Sequence, residues 1–71
     1  MYKMYVKLIN EGSVAYQSVP SSKFSSNIYK LEGSDIYDIE DEIWEFLPAI
    51  LVLTKRKELE GKLVLVAVEE I

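Results

Sequence analysis

The sequence predicts a small, mainly β domain: five short antiparallel strands forming an SH3-like barrel or a strongly curved sheet, with at most one short helical turn near residues 36–46. Three observations predict it. Apolar and β-branched residues alternate with a period of two over much of the chain. Glycine-, serine- and asparagine-containing clusters separate these runs at short intervals. The last two runs are apolar on both faces, which suits strands that are central in a sheet, wrapped in a barrel or covered by a partner. Closure also hides strand edges that a short chain would otherwise expose. The strands are short for an OB barrel, which favours the SH3-like form.

The first run, Tyr2 to Asn10, sets Met4, Val6 and Leu8 on one face and Lys3, Tyr5, Lys7 and Ile9 on the other. Asn10-Glu11-Gly12-Ser13 reads as a hairpin turn. Val14 to Val19 is the second strand, ended or placed at an edge by Pro20. Ser21 to Asn27 is rich in serine and reads as a loop anchored by Phe24. Ile28 to Glu32 is the third strand, closed by Gly33-Ser34-Asp35. Ile36 to Phe46 then changes pattern. Ile36, Ile39, Ile43 and Phe46 fit helical spacing, with Asp35 or Asp38 as N-cap, but an extended acidic loop leading into a strand fits equally well. Ala49 to Lys57 and Lys62 to Ile71 are the strongest strands, joined through Glu58-Leu59-Glu60-Gly61, where Gly61 supplies a positive φ.

Size and composition exclude several functions. Seventy-one residues make one domain, spanning 1–71, without internal repeats. A domain near this length buries only roughly 60% of the surface its unfolded chain exposes, so a second subunit is a ready source of stability. The chain has no cysteine and no histidine, which removes disulfides, thiolate nucleophiles, the usual zinc sites and imidazole chemistry. Twelve acidic residues outnumber eight basic ones, the net charge is -4 and the pI is about 4.7. That balance disfavours nucleic acid and anionic membranes and favours a basic protein partner. The N-terminal run lacks the uninterrupted apolar stretch of a signal peptide, so the expected location is cytoplasmic.

The chemistry-bearing residues crowd one segment. Asp35, Asp38, Glu40, Asp41, Glu42 and Glu45 surround Tyr37, Trp44 and Phe46. Carboxylates beside aromatic rings suit recognition of arginine or lysine, by charge and by cation–π contact. The expected partner-binding surface is therefore Tyr37, Asp41, Glu42, Trp44, Glu45 and Phe46, although the single tryptophan also suits the centre of the core. A carboxylate metal site at Asp38, Asp41 and Glu42 is an alternative, but the spacing is not that of an EF-hand loop, and no cofactor is implied. Lys55-Arg56-Lys57 reads as a solvated strand end. No pair of carboxylates falls on facing elements, so no catalytic site and no enzyme is expected.

Three stretches together resemble a family of very small uncharacterised bacterial proteins. They are Val6 to Pro20, with its Glu11-Gly12-Ser13 turn and Val19-Pro20 strand end; Ile28-Tyr29-Lys30-Leu31; and Asp41 to Ala49, followed by an apolar strand and Leu65-Val66-Ala67-Val68. Glu42, Trp44, Glu45, Phe46 and Pro48 match the family's acidic, Trp-Glu-Phe and proline pattern. Ala49 stands where the pattern has glycine; Tyr16 and Ser18 stand where an aromatic residue and an arginine are usual. The resemblance implies a compact stand-alone β domain and brings no assigned function. The acids, tryptophan and proline also resemble the peptide groove of signalling SH3 domains, but here they are crowded into one segment, so the likeness brings no proline-peptide role. The sequence thus leads to a non-enzymatic interaction module for a protein partner, with a structural homodimer as the alternative.

Overall fold

The computed structural model describes residues 1–9, 14–40 and 42–71. Strand β1 is Tyr2–Ile9, β2 Tyr16–Ser25, β3 Ile28–Leu31, β4 Ile43–Trp44, β5 Leu51–Leu59 and β6 Lys62–Glu70. Among the described residues there is no helix. The hairpin turn expected at Asn10 to Ser13 lies outside the described residues.

The sheet runs β2-β3-β5-β6-β1-β4, with a further β1–β2 pairing that brings the order round into a nearly closed ring of five strands. The pairs β1–β2, β2–β3, β3–β5 and β5–β6 are all antiparallel. Five strands that alternate in direction leave the first and last pointing the same way. The closing pair, β1–β6, is therefore parallel, and it is confined to Tyr5 opposite Val66. An entirely antiparallel sheet was expected, and the odd strand count is the reason for the difference. Val68 is unpaired on β6, between Glu69 opposite Leu53 and Ala67 opposite Thr54. Such a bulge bends and twists a strand, which helps an open sheet curl.

The alternation in β1 is realised as written. Met4, Val6 and Leu8 are buried, while Lys3, Lys7 and Ile9 are exposed. Backbone groups alternate in the same way between the two edges. The Leu8 N–H donates to the Ala15 carbonyl on the β2 side (2.9 Å), and the Lys7 carbonyl accepts from the Glu45 N–H on the other side (2.8 Å). That second edge holds β4, with Leu8 opposite Trp44 and Ile9 opposite Ile43. Val19, Tyr29, Leu31, Trp44, Val52 and Ala67 complete the core. Two buried hydroxyls beside it have partners: Ser21 Oγ donates to the Tyr2 carbonyl (3.1 Å), and Thr54 Oγ1 donates to the Asn27 carbonyl (3.3 Å).

Two expectations change and one open alternative is decided. First, β2 does not stop at Pro20 but runs on to Ser25. Pro20 faces Lys3 on β1 in a non-hydrogen-bonded pair, which calls on no N–H, and on the β3 side its carbonyl accepts from the Glu32 N–H (2.8 Å) while its missing N–H forgoes only the reciprocal bond past the end of β3. Second, Phe24 anchors nothing. It is the extra residue between Lys23 opposite Tyr29 and Ser25 opposite Ile28, and it is 68% exposed. The choice left open over Ile36 to Phe46 falls to the acidic loop leading into a strand: its described residues form isolated turns and the two-residue β4. The Gly33 carbonyl accepts from the N–H groups of Ile36 (3.0 Å) and Tyr37 (3.1 Å), and the Asp38 carbonyl accepts from Glu42 (3.0 Å). The Asp38 side chain also accepts from the Glu40 N–H (2.9 Å), a local bond that competes with helix.

The turns behave as the residues require. Glu60 and Gly61 have φ of 52° and 79°, the sign pattern of a type I′ hairpin turn. Gly33 has φ 95° and is packed so closely that an added Cβ would lie 3.3 Å from Ile36 Cγ1.

Candidate functional site

The residues singled out in the acidic segment divide by depth. Trp44 is held on β4 by pairing with Leu8 and is only 2% exposed, so it is a core residue. Its indole N–H donates to Glu42 Oε1 (3.4 Å). The Tyr37 ring meets it edge-on, with centroids 4.8 Å apart and planes at 60°. Among the described residues the buried Tyr37 hydroxyl has no hydrogen-bond partner. Phe46 is half-buried and packs on the same cluster. All three aromatic side chains thus turn towards the core, because β4 must cover the end of the ring beside Leu8. Asp41 lies outside the described residues.

The outward surface of the segment has a different membership. Ile36, Ile39 and Leu47 are 51%, 65% and 45% exposed. In the same segment Asp35, Asp38, Glu40 and Glu45 are also exposed, and Glu42 is half-buried. The sequence left Ile36 and Ile39 open between a helical stripe and an extended acidic loop. Without a helix that stripe does not form, and both side chains face solvent among carboxylates. Asp38 and Glu42, two of the three residues of the alternative metal site, each direct a carboxylate oxygen to a group of the chain itself. Among the described residues, no group of three or more metal-ligating side chains gathers.

A concave surface that sequence reasoning missed lies on the other side of β1. The β5–β6 hairpin leans over the outer face of β1 and β2 and encloses a groove of about 460 Å³, lined by Tyr5, Tyr16, Leu59, Glu60, Lys62 and Val64 among others. Tyr16 is shared with a second hollow of about 240 Å³, lined also by Lys7, Glu45, Lys57 and Val66. Val66 is buried yet stands outside the main core cluster, so it floors this second hollow and not the interior. The only legible trace in the sequence was the second apolar face of the last strand, Val64, Val66 and Val68.

No helix in the described structure is long and apolar enough to cross a membrane. Comparison with protein-family models, with characterised proteins and with solved structures finds no match to this chain.

Proposed function

We propose that the protein is a non-enzymatic, cytoplasmic interaction module that engages a basic protein partner through the surface formed by residues 35–40 and 42–47. The observation that carries this reading is the exposure of Ile36, Ile39 and Leu47 within a segment rich in exposed carboxylates. Apolar side chains gathered on a surface mark contact sites, and a rim of one charge selects a partner of the opposite sign. The expected anchors shift accordingly. Trp44, Tyr37 and Phe46 support the surface from beneath, while the isoleucines and Leu47 supply its apolar contact and Glu45 part of its charge. The motif resemblance belongs to the same proposal. It is supported by Ala49, which occupies the pattern's glycine position and has φ 74°, a backbone conformation that glycine adopts without strain.

The test compares wild-type protein with Ile39→Asp, a change at an exposed side chain that leaves the core intact. A basic protein captured by the wild type and lost by a folded Ile39→Asp variant supports the reading. Equal capture by both overturns it.

A further inference from the structure

The basic partner itself has a candidate on the same molecule. We propose that it is a second copy of this chain, with the acidic segment of each copy seated against the lysine-edged groove of the other about a two-fold axis. This inference rests on the reading of the acidic surface given above.

Charge is unevenly distributed in the fold. The chain is acidic overall, yet Lys7, Lys57 and Lys62 outnumber Glu45 and Glu60 along the two adjoining hollows, and Lys55 stands on the same face of β5 as Lys57. Asp35, Asp38 and Glu40 project from the turns after β3, among the exposed Ile36 and Ile39. The groove offers what those side chains lack at home. Its Tyr5, Tyr16, Leu59 and Val64 walls are apolar or aromatic, its volume of about 460 Å³ falls in the range of sites that hold side chains or small ligands, and Lys62 stands at its margin beside Glu60, with Lys7 and Lys57 in the adjoining hollow. An isoleucine entering it from a second copy brings its neighbouring carboxylates towards those lysines.

The two surfaces also adjoin. Glu45, at the end of the acidic segment, lines the second hollow beside Lys7 and Lys57. One continuous patch therefore carries an acidic half and a basic half. A two-fold dimer requires this kind of self-complementarity, because each contact is made twice with the roles exchanged. A reciprocal arrangement closes at two copies and leaves neither half exposed.

The experiment uses two charge-swap variants at exposed positions, Asp35→Lys with Glu40→Lys, and Lys57→Glu with Lys62→Glu. Mass in solution is read by sedimentation over the micromolar to submillimolar range, in salt of about 0.1 M and about 1 M, where screening lengths are about 10 Å and about 3 Å. The wild type is expected to dimerise at the lower salt and to dissociate at the higher. Each variant alone is expected to bind itself about 100-fold more weakly or worse, because like charges then meet across both halves. Mixed in equal amounts, the two variants restore a dimer, since each acidic or basic half again meets its opposite. A wild type that stays monomeric, variants that dimerise like the wild type, or a mixture that stays monomeric would each overturn the second-copy proposal. If the wild type is monomeric but Asp35→Lys with Glu40→Lys abolishes capture of another basic protein, only the identity of the partner falls. If that variant alters neither self-association nor capture, the reading of the acidic surface falls with it.

Discussion

Ala49 has φ 74°, in the left-handed region, between Pro48 and the start of β5. An L-residue there costs roughly 1–2 kcal/mol relative to the right-handed form, because its Cβ crowds the following carbonyl. Glycine escapes that strain but adds roughly 0.4–1 kcal/mol of chain entropy to the unfolded state. Ala49 is exposed, so removing its methyl group forfeits little burial. Its N–H, which donates to the Leu31 carbonyl at 2.7 Å, is retained by glycine. The balance predicts that Ala49→Gly stabilises the fold by about 0.5–1 kcal/mol, a rise in Tm of roughly 2–8 °C for a domain of this size. Thermal melts, with urea titrations of unchanged slope, measure it. The control is Gly61→Ala, at φ 79° with nothing within 4 Å of the added Cβ. Only backbone strain acts there, and the variant is expected to lose about 1 kcal/mol. If Gly61→Ala is destabilising while Ala49→Gly is neutral or destabilising as well, the strain argument at Ala49 is wrong.

Three further outcomes follow from the packing. Trp44→Ala is expected to cost about 3–5 kcal/mol, most of the stability of so small a domain, with loss of a cooperative melt; in the wild type, Trp44 emission should be blue and poorly quenched by acrylamide, and red, easily quenched emission would contradict its burial. Tyr37→Phe removes a buried hydroxyl that has no partner among the described residues and should raise stability by about 1 kcal/mol in urea titrations, whereas a loss of that size would mean the hydroxyl is bonded. Glu60→Asn should stabilise by a few tenths of a kcal/mol, roughly, since asparagine followed by Gly61 suits the positive φ at both turn positions; a lower melting temperature would contradict the turn assignment.

The sequence by itself determined the features that depend on neighbours along the chain. Period-two alternation placed Met4, Val6 and Leu8 inside, because consecutive side chains of any strand leave opposite faces. Gly61 marked its turn and Gly33 the end of β3, because left-handed backbone is a local demand. The tertiary structure alone decided what depends on distant partners. Pro20 stays within a strand because its pairing with Lys3 on β1 calls on no N–H. Trp44 turns inward because Leu8, far away in sequence, offers it an edge to pair with. Ile36 and Ile39, at a spacing that suits a helix, face solvent because the Asp38 side chain bonds locally and β4 takes the following residues into the sheet. Of the expected surface, the structure sets Trp44 in the core with Tyr37 and Phe46 packed against it, and leaves Glu45 exposed and Glu42 half-buried. Beyond the second apolar face of the last strand, the groove left no trace in the sequence, since it arises where β1, β2 and the β5–β6 hairpin come together beside the single parallel β1–β6 pair. That geometry follows from closing a ring of five strands, and no local pattern encodes it.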